Sequence, residues 1–65
     1  MKASELIEKT VDELRQEEVN LRKELFNLNF QKATGEIENP LRIRQVRKNI
    51  ARVLTVMNQK SANKN

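Results

Sequence analysis

Cysteine and histidine are both missing from these 65 residues. That removes disulfides, ordinary zinc sites and the side chain that most readily moves protons near neutral pH. Tryptophan and tyrosine are missing too, so two phenylalanines are the whole aromatic complement. The only serines, Ser4 and Ser61, sit near the ends, and a single glycine cannot build a glycine-rich phosphate loop. Carboxylates remain, but a rod of helices offers no water-excluding cleft in which one could become an acid or base. No catalytic residue, no metal site and no cofactor is expected; the chain reads as a binding or scaffolding element, not an enzyme. No apolar run approaches the roughly 18 residues of a membrane span, and Met1-Lys2-Ala3-Ser4-Glu5 holds no signal-peptide core. A cytoplasmic setting is expected.

The most telling absence is of acid. From Asn39 onward there are seven Lys/Arg and no Asp or Glu, whereas the first 38 residues carry all nine acids and six bases. The C-terminal part is therefore net +7, the rest net −3, and the chain +4. A surface of one sign attracts polyanions and repels its own copies. Four of the seven cations are arginine, whose planar fork suits phosphate oxygens.

What is present is helical. Thr10-Val11-Asp12-Glu13 matches a capping box and starts helix one. Leu14, Leu21 and Leu28 recur every seven residues, with Val11 and Leu25 at alternate heptad positions. The only glycine and the only proline then fall together in Thr34-Gly35-Glu36-Ile37-Glu38-Asn39-Pro40. Gly35 suits the left-handed position past a helix end, and Asn39-Pro40 suits an N-cap followed by proline at the first helical position. Beyond it Ile43, Val46, Ile50, Val53, Leu54 and Met57 share one side of helix two.

The expected fold is all-α: a single domain over 1–65, a long antiparallel two-helix hairpin of coiled-coil character. Helix one runs about 10–34, the turn 35–39, helix two about 40–60, and a frayed tail 61–65. Ser4 to Lys9 adds a short N-terminal helical turn. Folding about Ile37 brings Leu14, Leu21, Leu25 and Leu28 against the apolar side of helix two, in a rod whose helices are about 30–37 Å long. A chain of this size buries only roughly 60% of its unfolded surface, so a partner is expected to complete its stability.

Two surfaces remain once the hairpin closes. Arg44, Lys48 and Arg52 stack at i, i+4, i+8 opposite the apolar stripe of helix two, with Arg42 and Arg47 flanking that stripe. With no acid among them, they read as a polyanion-binding set and not as a mixed solvated face. Helix one has a second apolar stripe, Val19, Phe26, Phe30 and Ala33, roughly 140–180° from its leucine seam. Either Leu6 and Ile7 fold back over it, or Val19, Phe26 and Phe30 contact a protein partner. Glu18, at a heptad position that should be apolar, pairs with Arg22 or with Lys60 across the hairpin. Glu13, Glu17 and Glu24 are read as a solvated face.

Leu25-Phe26-Asn27-Leu28, the Ala33-Thr34-Gly35 turn and above all the fifteen residues from Glu38 to Arg52 resemble the L-twenty-nine family of bacterial large-subunit ribosomal proteins. The similarity covers nearly the whole chain. It implies a helical hairpin on large-subunit rRNA near the peptide exit tunnel, beside the L-twenty-three protein, with nascent-chain factors concerned only indirectly. It implies rRNA contact by Arg42, Arg44, Arg47, Lys48 and Arg52, with Asn39 and Pro40 at the family's turn. Asn29 departs from the family pattern, in which a basic residue is common at that position. The rival readings are a self-associating coiled-coil adaptor using the Phe26/Phe30 stripe and a basic amphipathic helix, residues 40–57, lying on a membrane surface. Against these the expectation is a free monomer with no membrane partner.

Overall fold

The structure, a computed structural model, describes residues 3–62. A short helix α1 (Ala3–Ile7) leads into α2 (Val11–Ala33), and a turn returns the chain as α3 (Leu41–Ala62). The two long helices pack against each other as an antiparallel hairpin, and α1 lies against α3 at its open end. The molecule measures 48 × 17 × 14 Å, longer than the helices alone because the turn and α1 extend it at opposite ends.

Local chemistry explains each boundary. The Thr10 hydroxyl accepts from the Glu13 N–H at 3.1 Å, and the Glu13 carboxylate accepts from the Thr10 N–H at 3.1 Å, closing the capping box. At the other end of α2, Gly35 takes φ +77°. Its N–H donates to the Lys32 carbonyl and the Glu36 N–H to the Gln31 carbonyl, at 3.2 and 2.8 Å. Those two bonds are the Schellman pattern, which satisfies carbonyls that the helix end leaves open. The Asn39 side chain then accepts from the Leu41 N–H at 3.1 Å and caps α3. α3 continues through Ser61 and Ala62, where the sequence suggests a frayed tail, because no Gly or Pro interrupts it. Residues 63–65 of that tail lie outside the described residues.

The core runs along the hairpin seam. Leu14 and Leu21 of α2 are buried against Val46, Ile50, Val53 and Val56 of α3, and Leu6 of α1 joins the same cluster. Ile43 is buried apart from that cluster, and Leu25, Leu28, Leu54 and Met57 are half-buried at its edge. The difference is geometric. Leu25 and Leu28 lie nearer the turn, where only two helices face each other. At the open end α1 supplies a third wall over Leu14 and Val56 and leaves Leu54 and Met57 at the margin. Val56 is a core residue that the sequence reading did not include.

Pairing of charge also departs from the expectation of a solvated face. Glu17 reaches Lys9 at 3.8 Å, Glu24 reaches Arg42 at 2.6 Å, and Glu13 belongs to the cap. Glu18 takes the first of its two options, with Arg22 at 2.9 Å one turn along. These exposed pairs contribute about 0–1 kcal/mol each.

The cap yields a test of its own. Replacing Thr10 with Ala should lower stability to chemical denaturation by about 1 kcal/mol. The Thr10 N–H, then the Thr10 hydroxyl network, hold the Glu13 carboxyl below the usual glutamate range. A lowered folded pKa means that its contribution is whole above the unfolded value and is lost as pH falls through the folded one. Carboxyl NMR titration should therefore place the Glu13 midpoint below that of glutamate in an unfolded peptide. A midpoint at or above that reference would mean the box is open.

Candidate nucleic-acid interface

The candidate interface lies on α3, which contains no acid along its length. Burying Val46, Ile50 and Val53 against α2 fixes the rotation of the helix, and at about 100° per residue that rotation decides where each cation goes. Arg44, Lys48 and Arg52 are exposed on the outer side. Arg44, Arg47 and Lys48 make no ion pair among the described residues.

The five cations do not act as one stripe. An open groove on one flank of α3 is lined by Arg42, Gln45, Lys48, Asn49 and Arg52. A second, on the other flank, is lined by Asn29, Lys32, Pro40, Ile43, Arg44 and Arg47. Arg42 differs from Arg44, Arg47 and Lys48: its Nε donates to the Glu24 carboxylate at 2.7 Å, so part of its charge is already answered across the hairpin. The first groove thus has an acid beside it, from α2. The second has none among its lining residues and gains Lys32 instead.

Lys32 is the functional candidate that the sequence reading missed. It occupies the next seam position after Leu14, Glu18, Leu21, Leu25 and Leu28, where a leucine would continue the pattern. A cation there, one turn before the helix ends, points toward the start of α3; that interruption of the heptad was the available signal. Asn29 stands in the same groove.

The aromatic face settles one of the open alternatives. Phe26 is 72% exposed and Phe30 62%, and Val19 is exposed beside them. Leu6 is in the hairpin core instead, and Ile7 is itself 56% exposed, so α1 does not cover this stripe. α1 packs on α3 because Leu6 finds a deeper apolar site in the cluster with Leu14 and Val56 than the outer side of α2 can offer. Val19 and Phe26 form a shallow apolar depression bordered by Arg22, Lys23 and Asn27.

For a lipid surface the arrangement is poor. The apolar side of α3 is spent on α2, with Val46 and Val53 fully buried, leaving no amphipathic face to insert. No described helix is long and apolar enough to cross a membrane.

Comparison with known proteins finds relatives along nearly the whole chain. The family model described as ribosomal L29 protein matches residues 4–60. The chain is 58% identical over 62 residues to the large ribosomal subunit protein uL29 of Ruegeria pomeroyi, covering 95% of this chain and 94% of that one. It is 55% identical over 64 residues to the protein of the same name from Rubrobacter xylanophilus, covering 98% and 96%. The uL29 protein of Lacticaseibacillus paracasei is 52% identical over 64 residues, covering 98% and 100%.

Proposed function

Because this chain belongs to the ribosomal L29 protein family, we propose that it is a structural, non-enzymatic constituent of the large ribosomal subunit that grips rRNA through the basic surface of α3. The observation that carries the rRNA part is an exposed helix side with arginine and lysine and no acid, where Arg44, Arg47 and Lys48 make no ion pair among the described residues. Charged groups one turn apart follow phosphates, release counterions and read few bases. With no aromatic side chain on α3 to stack on splayed bases, specificity along that helix comes from RNA shape. The site of action is the ribosome, in the cytoplasm.

The test is salt dependence. Neutralising four to six phosphates gives a log–log slope of about −3 to −5 for binding to large-subunit rRNA, between the duplex and single-strand coefficients. A slope near zero refutes the mechanism.

The exposed Val19, Phe26 and Phe30 face supports the second half of the reading, contact with a neighbouring protein at the tunnel exit, the L-twenty-three protein. A photo-crosslinker at position 30 in assembled subunits should capture that protein; crosslinks to RNA alone would remove the protein-docking assignment. The same face is the apolar seam that a self-associating adaptor would use. Sedimentation of the free chain at micromolar concentration should give a monomer, because the net positive surface repels its copies. A stable dimer abolished by Phe26→Ser would favour the adaptor.

A further inference from the structure

We propose that Lys32, Arg44 and Arg47 form a phosphate-binding site built across the two long helices, so that α3 is seated between two backbone runs of RNA instead of lying along one. The inference rests on the rRNA reading above and adds the shape of the partner to it.

The first argument is angular. Arg47 and Arg52 lie about 140° apart around α3 at about 100° per residue, with Arg44 and Lys48 between them. A helix face offered to one neighbour spans about 100°, so a single phosphate run cannot serve both margins of this arc. Each margin has a groove of its own, and the two share no residue.

The second argument is electrostatic. The Lys32 groove brings together three cations from two helices, and no acid lines it. None of the three makes an ion pair among the described residues. Like charges held this close repel one another, and no part of the fold requires them there; an incoming phosphate run removes that repulsion. The opposite groove has a different character. Its first arginine is tied to Glu24, and the amides of Gln45 and Asn49 supply neutral donors alongside Lys48 and Arg52. Two chemically distinct grooves on either side of one helix fit a cleft whose walls are separate strands, set apart by the 10–12 Å diameter of a helix.

The third argument is the cost of Lys32 itself. At a seam position a leucine would bury apolar surface between α2 and α3, yet the chain carries an exposed lysine there. Its position levels it with the Arg44/Arg47 side of α3 and extends that basic surface onto α2.

The absence of cysteine makes the test clean. Asn29→Cys and Gln45→Cys each introduce a unique thiol into one groove without removing a charge. Each is coupled to an iron chelate that generates hydroxyl radicals, and the labelled protein is incorporated into large subunits. Two cleavage clusters on separate rRNA strands, one from each position, are expected. Cleavage of one shared run from both positions would overturn the two-sided seat and leave the rRNA reading intact. Cleavage from position 45 alone would overturn the composite site. Cleavage from neither, in particles shown to contain the protein, would sink the rRNA reading itself. As an independent readout, Lys32→Gln should lower the magnitude of the salt slope by about 1, and Lys32→Arg should restore it; an unchanged slope in the Gln variant counts against the site.

Discussion

Leu14→Ala is expected to leave the free protein largely unfolded at room temperature, although Leu14 lines neither basic groove of α3. Leu14 is fully buried, in the cluster where α1, α2 and α3 meet. Truncating a buried leucine costs about 2–5 kcal/mol, through lost transfer energy and the cavity left behind. A chain of this size has roughly 3–5 kcal/mol to lose. Phe26→Ala is the control. It removes a larger side chain, but one that is mostly exposed, so stability should change by less than about 0.5 kcal/mol. Thermal and urea melts followed by circular dichroism separate the two variants. If Leu14→Ala melts like Phe26→Ala, the seam assigned to Leu14, Val46 and Val53 is wrong. Leu25→Ala, at the half-buried edge of the core, should fall between them.

Replacing Arg44, Arg47 and Lys48 together with Gln should leave helicity nearly unchanged and abolish efficient incorporation into large subunits. Those three make no ion pair among the described residues, so the fold loses nothing when they are neutralised. Gln matches Arg and Lys closely in helix propensity. The RNA loses three counterion-releasing contacts, which at 0.15 M salt weakens binding about 100-fold, taking a coefficient of about 0.8 per phosphate. Arg42 is left out of the set on purpose. Its Glu24 partner would be stranded, and a stability effect would mix with the binding effect. Triple Gln subunits that retain normal occupancy would show that this side of α3 faces water.

Much of this was legible because helices advertise themselves locally. Thr10 with Glu13, Gly35, and Asn39 with Pro40 each act within a few residues of backbone, so their geometry follows from sequence spacing. The period of the leucines on α2 likewise placed the seam. The family resemblance, quoted from the turn and from Glu38 to Arg52, led to the same family that the comparison returned. Less legible was anything that depended on which side of α2 faces which side of α3. Glu24 looked like one more solvated acid until the hairpin brought it to Arg42, eighteen positions away. Lys32 was passed over because its groove is shared between helices, and half of it lies on the other strand of the hairpin.

Composition and order alone therefore determined the helical class, the place of the turn, the absence of catalytic equipment and the concentration of positive charge on the second helix. Those properties are set by residue type and by contacts within one turn of helix. Tertiary structure decided the rest. It sent Leu6 into the core instead of over Phe26, answered Arg42 with Glu24, and divided the remaining cations between two flanks of α3. The reason is that burial of Val46, Ile50 and Val53 locks the rotation of α3 about its own axis, and an angle of that kind exists only once a second helix is there to define it.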